Sequence, residues 1–360
     1  MMKFGRYWFS TLVLLATCVA SFAQEKRKVV IDQDAAGPGG TDQQSMLLLI
    51  QSPQTEILGI TVVTGDQWLR AEVAHTLRML ELIGRTDIPV VPGAEYPLVR
   101  TKEETELWEQ QYGLIPWKGA WTARFYHPAD ELGDLPEGKP GTKPADEDAA
   151  HFLVRTVHKF PNQVSIYAGG PLTNLALAVS IDPEFPRLAK ELIFMGASLD
   201  PQTTDPEFTN APRREFNLWF DPEAAHIVLR APWKRVVCTS VDISVKTRLT
   251  TELVGRIKAA GSPAAQYIGK YARIRGEYDY LWDELAAAAW LDPTLITKKE
   301  TRLMDIDLDR GANYGMVLTW GEQDKPKVRV PQVEVQVDLD TQKFYDLFVS
   351  LLTAPTPKAR

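Results

Sequence analysis

Short apolar runs alternate with helix-length segments from residue 28 to residue 238, and few architectures accept that rhythm. The run at 28–32 (KVVID) is valine-rich, and others fall at 56–63, 88–91, 164–168, 191–195 and 235–238. Between them, 43–50, 68–83, 146–160, 172–180 and 221–230 have helical length, the last opening on Asp221-Pro222, a cap residue before a first-turn proline. Strand–helix alternation of this kind predicts an α/β fold, a largely parallel central sheet with helices on both faces. Two stretches break it. Residues 93–145 are rich in proline, glycine, charge and aromatics, and 198–214 carry three prolines and no apolar face. Long irregular segments in a compact α/β domain are usually site loops or lids. No tandem repeat and no linker composition divides the chain, which predicts one domain over 24–360 with an irregular insertion at 93–145.

At 44% hydrophobic and 24% charged, the 360 residues have the composition of a folded globular protein, not of a disordered or collagen-like chain. The net charge is −7, and −9 without the first 23 residues, which argues against a nucleic-acid partner. Those 23 residues read as a signal peptide. Lys3 and Arg6 precede an apolar stretch at 7–20, and Ser21-Phe22-Ala23 offers a cleavage site. A membrane anchor is the plainer alternative, but the stretch is short for a span. A lipid attachment at Cys18 is disfavoured by Thr17. The expected product is exported, periplasmic in a bacterial context, and free of the membrane once cleaved. It would retain Cys238 alone, so no intrachain disulfide is expected.

The sharpest chemical signal follows the first strand: Asp32-Gln33-Asp34-Ala35-Ala36-Gly37-Pro38-Gly39-Gly40-Thr41-Asp42. Residues i and i+2 of a strand point the same way, so Asp32 and Asp34 are expected to project together past its carboxyl end. Ligands bind at that edge in open α/β sheets. With Asp42 at the start of the next helix, three carboxylates converge, and such a set needs protons or a cation. All-oxygen ligation suits Ca²⁺ or Mg²⁺ rather than zinc. The same residues admit a duller role, Asp42 capping a helix and Asp34 shaping a turn. The segment lacks the Gly-Lys-Ser/Thr of a P-loop and the third glycine of a dinucleotide fingerprint. His-Glu-x-x-His, Cys-x-x-Cys and Gly-x-Ser-x-Gly are absent from the sequence.

The Asp32/Asp34/Asp42 segment resembles the amino-terminal signature of the nucleoside hydrolase family, and four later blocks agree with it in order. They are Ile60-Thr61-Val62-Val63-Thr64-Gly65-Asp66, Ala168-Gly169-Gly170-Pro171-Leu172-Thr173-Asn174, Glu215-Phe216-Asn217 with the following Asp221-Pro222, and Trp282-Asp283-Glu284-Leu285-Ala286. The resemblance implies a Ca²⁺-dependent hydrolase that cleaves the N-glycosidic bond of ribonucleosides to ribose and free base. By position, Asp34, Asp42, Asp283 and the Gly169 carbonyl would hold the cation, and Asp34 would also take a proton from the attacking water. Asp66, Asn210, Glu215 and Asn217 would contact the sugar, although the spacing from Asn210 to Glu215 is one residue short. Glu215 and Asn217 also admit a simpler role, tying a strand end to the next loop. Nearby carboxylates suit an oxocarbenium-like transition state.

Many relatives place histidine before the last aspartate, whereas this chain has Trp282, and none of its five histidines falls in a matched block. Trp282 and Asp66 resemble a purine-preferring branch thought to sandwich the base between tryptophans. Trp108 is the expected second face, with Trp117 or Trp121 as substitutes. Core packing is the duller role for any of these rings. Thr41 stands where the family has an acid on the sugar 2′-hydroxyl, and the loop before Asp42 is three residues longer than in simple members. The small-molecule partner expected is a purine nucleoside, and the family suggests a homodimer or homotetramer. A different N- or O-glycoside as substrate, or nucleoside or sugar binding without catalysis, are the alternatives that Thr41 keeps open.

Overall fold

The first strand is the pivot of the molecule. In the computed structural model, which describes residues 1–2, 25–122, 126–274 and 276–358, the strands are β1 (Arg27–Gln33), β2 (Thr55–Val62), β3 (Val90–Pro92), β4 (Val164–Ala168), β5 (Glu191–Met195), β6 (Val236–Thr239), β7 (Arg248–Thr250), β8 (Tyr278–Tyr280), β9 (Ile296–Ile306), β10 (Val317–Trp320) and β11 (Gln332–Leu339). Residues 3–23 of the expected signal segment lie outside the described residues. Nine strands form one sheet in the order β10-β9-β11-β6-β5-β4-β1-β2-β3. From β3 to β6 and on to β11 the pairing is parallel, and β9 and β10 add an antiparallel margin.

Alternation along β1 shows why both faces are covered. Val29 and Ile31 enter one apolar core and Val30 the other. The first core is closed by the helices Thr41–Gln51, Leu69–Ile83, Pro263–Tyr271, Trp282–Leu291 and Thr341–Thr353. The second is closed by Ala149–Lys159, Thr173–Ile181 and Pro222–Arg230. A central parallel strand buried on both faces needs a continuous apolar run, which KVVI supplies. After β3 the chain returns to the other side of β1 as β4, so the carboxyl end of β1 is a topological switch point.

The six expected strands and five expected helices are all present, with boundaries shifted by up to three residues. Segment 93–145 is less irregular than expected. It holds the helix Lys102–Tyr112, started by Thr101, whose side chain accepts from the Glu104 amide at 3.1 Å. Only Thr105 of that helix is buried, so no apolar stripe announced it. Segment 198–214 likewise contains the helix Pro206–Asn210, capped by Asp205. No helix among the described residues is long and apolar enough to cross a membrane.

Candidate active site

Asp34 follows the last residue of β1 and points into a cavity of about 980 Å³ at the switch point. Its Oδ2 accepts from the Asp66 amide at 3.1 Å. Gly65 lets the second strand's loop come this close, because a Cβ there would stand 2.1 Å from the same oxygen. Asp32, expected beside Asp34, lies deeper. Its Oδ1 accepts from Thr61 Oγ1 at 2.5 Å and Asn174 Nδ2 at 2.8 Å, so it ties β1 to its neighbours and does not line the cavity.

Asp42 and Asp283 reach the site from two helices that pack against each other, each as the second residue of its helix. Gly40 occupies the cap position of the first helix with no side-chain cap, so Asp42 is not the cap. First-turn carboxylates are favoured by the positive end of a helix. The second helix lies close because Ala286 to Ala289 are small and buried. Asp42 and Asp283 are within hydrogen-bonding reach of each other. Gln33 Nε2 donates to Asp283 Oδ2 at 2.8 Å, and Tyr167 donates its hydroxyl to the Asp283 carbonyl at 2.9 Å. Gln33 fills volume that only glycine at 169 leaves free, since a Cβ there would stand 1.8 Å from Gln33 Oε1.

Burial pushes the carboxyls of Asp34 and Asp42 well above the ordinary range, and Asp283 up to about 7. The main charges acting on each are other carboxylates, which adds to the effect of burial. Among the described residues, no three His, Cys, Asp or Glu side chains form a ready-made metal cage. The donor chemistry nevertheless fits a hard cation: three buried carboxylates whose charge nothing basic offsets among these interactions. The Gly169 carbonyl also lines the cavity region and accepts from Asn217 Nδ2 at 2.9 Å.

Glu215 caps the helix Phe216–Phe220, its carboxylate accepting from the amides of Asn217, Leu218 and Ala197 at 2.8 to 3.1 Å. Burial raises it to about 7 while those amides pull it down. The duller role, fastening a loop, is therefore real, and Glu215 and Asn217 line the cavity as well. Thr41 also lines it and donates its hydroxyl to Glu284 Oε2 at 2.5 Å. Glu284 is fully buried, and its Oε1 has no protein partner.

Two expected residues are not at the site. Asn210 ends its short helix exposed to solvent, whereas Glu207 and Phe208 of the same helix line the cavity. Trp108 packs on Tyr112 and donates from Nε1 to the Gly311 carbonyl at 3.0 Å, away from the cavity. Trp117 is the tryptophan that enters, with Nε1 donating to Asp66 Oδ1 at 2.7 Å. Trp121 is buried against Phe220. Trp282 lines the cavity, with its ring 4.7 Å from Tyr280 and 5.7 Å from Phe208. Glu207, Phe208, Tyr280 and Glu284 went unread in the sequence. Only Glu284, next to Asp283 in a helix's first turn, carried any signal there.

A family model described as inosine-uridine preferring nucleoside hydrolase matches residues 29–346. The chain belongs to that family. It is 28% identical to the inosine-uridine preferring nucleoside hydrolase of Leishmania major, with 91% of this chain and 97% of the relative covered. It is 30% identical to the pyrimidine-specific ribonucleoside hydrolase of Citrobacter koseri, with 88% and 95% covered. Among solved structures, a plant nucleoside hydrolase superposes with a TM-score of 0.73 at 25% identity, covering 91% of this chain and 99% of that one. As a nucleoside hydrolase, the chain is an N-ribosyl hydrolase of small-molecule nucleosides, in a family that binds a metal ion.

Proposed function

We propose that this nucleoside hydrolase is calcium-dependent and prefers purine ribonucleosides. The observation that carries the reading is one cavity lined both by the carboxylates Asp34, Asp42 and Asp283 and by the rings of Trp117 and Trp282. Asp34, Asp42, Asp283 and the Gly169 carbonyl are the residues that would hold the cation. When bound, it supplies positive charge that orients sugar hydroxyls and acidifies water. Asp34, held by the Asp66 amide, accepts the proton of the attacking water. Asp66, Asn217 and Glu215 face the ribose, and the two carboxylates among them favour an oxocarbenium-like transition state. Thr41 has its hydrogen committed to Glu284, so its oxygen is available to accept from a sugar hydroxyl. Trp282, braced by Tyr280 and Phe208, offers a face for the base.

A pyrimidine preference is the second reading, favoured by the name of the Citrobacter koseri relative. Turnover of inosine, guanosine, adenosine and uridine is to be measured with calcium and after chelation. Purines should turn over faster than uridine, and chelation should stop both. Faster uridine hydrolysis assigns the pyrimidine reading. Undiminished turnover after chelation removes the cation, and no turnover of any nucleoside by folded protein removes the activity.

A further inference from the structure

A departing base leaves as an anion unless it is protonated, yet none of the five histidines lines the cavity. Glu207 does line it. It is the second residue of the helix Pro206–Asn210, and its amide donates to the Asp205 cap at 2.9 Å. The next residue, Phe208, is buried with its ring 5.7 Å from Trp282, so the helix is docked on the wall where the base would lie. Asp205, Glu215 and Asp66 are the carboxylates that act on Glu207, and Arg214 is the opposing cation. Glu207 therefore stands where the aromatic wall meets the sugar-facing carboxylates. Tyr280, the other protic group beside Trp282, is engaged with the Thr203 hydroxyl at 3.0 Å and is raised above an already weak acidity by burial.

We propose that Glu207 is the proton donor to the leaving base. This inference rests on the hydrolase reading of the cavity. As the bond between C1′ and the base nitrogen breaks, its electron pair stays with the base, and the Glu207 carboxyl proton moves to a basic ring nitrogen or carbonyl oxygen. Water forms the new bond to C1′ and gives its proton to Asp34. The products are ribose and neutral base, and exchange with solvent returns the proton from Asp34 to Glu207. Burial first, and then the three carboxylates, push Glu207 up to about 8, against the pull of Arg214. The group thus holds its proton at neutral pH and loses it as pH rises through that value.

The test compares inosine with 4-nitrophenyl riboside, whose leaving group needs no proton. In Glu207→Gln, kcat/KM for inosine should fall by about 10²-fold or more. The nitrophenyl substrate should stay within about twofold. The wild-type decline in kcat/KM for inosine near pH 8 should vanish in the variant, and Glu207→Asp should recover part of the inosine rate. Equal losses on both substrates, or an inosine rate and pH profile that do not change, overturn the proposal. Wild-type protein that cleaves neither substrate overturns the hydrolase reading itself, and this inference with it.

Discussion

At the residue scale, the most informative departure is Thr41. Position 41 carries a hydroxyl, and the carboxylate beside it comes from Glu284 on a different helix. Fully buried, Glu284 fixes the Thr41 hydroxyl, and the Thr41 oxygen is what the pair offers the sugar. Burial pushes the Glu284 carboxyl well above the ordinary range, and a hydrogen bond between neutral groups is worth about 0.5–1.5 kcal/mol, or roughly 2- to 10-fold in rate. Glu284→Gln is expected to lower kcat/KM for ribonucleosides by about that factor and to leave 2′-deoxynucleosides less affected. Steady-state kinetics on inosine and 2′-deoxyinosine check this, and equal losses count against a contact at the 2′-position. Asp34, Asp42 and Asp283 were legible because each sits in an ordered motif. Glu207 falls in no motif, and Glu284 shares Asp283's motif, but nothing in its letter marks it as buried. Trp117 and Trp108 share one polar, aromatic-rich segment, and only the path of the chain sends the first inward and the second towards Gly311.

At the scale of elements, the site depends on loops that meet without room for a side chain. Gly65 is the tightest such point around Asp34, and its carbonyl also accepts from the Ala120 amide at 2.8 Å. Gly65→Ala forces Asp34 aside or separates those loops, at a cost of about 1–3 kcal/mol. Urea denaturation should show that loss together with a larger fall in activity than in stability-matched surface variants. A variant with unchanged stability and rate would mean that the contact yields freely. The central parallel strands β1, β4, β5 and β6 were legible because they are largely buried on both faces and so are mostly apolar. β9 was not. Its first seven residues include Lys298, Lys299, Glu300 and Arg302 and stay partly or fully exposed at the margin of the sheet. β11 alternates Val333, Val335 and Val337 with polar residues, a period that could have been read.

For the whole molecule, burying acids couples stability to pH. Asp32, Asp283 and Glu215 are each raised to about 7 by burial, whereas unfolded carboxyls titrate near 4. Between those values the folded chain binds more protons than the unfolded one, so these groups' contribution to stability falls as pH rises to about 7 and is level above it. At Asp283, and at Asp34 and Asp42 beside it, calcium would replace the protons. Melting temperature in chelator should therefore drop from pH 5 to pH 8, and added calcium should raise it more at pH 8 than at pH 5. An equal calcium shift at both pH values argues against carboxylate ligation. The bond from Gln33 to Asp283 spans 250 positions, and it bears on how the protein is made. A nascent chain that has not yet emerged past residue 284 holds the first strand and its aspartate but lacks the partner helix. Neither cation binding nor hydrolysis that needs Asp283 is expected of such a chain. The site is complete only once the Trp282–Leu291 helix has docked on the Thr41–Gln51 helix, so activity is expected to appear late, with the last third of the chain.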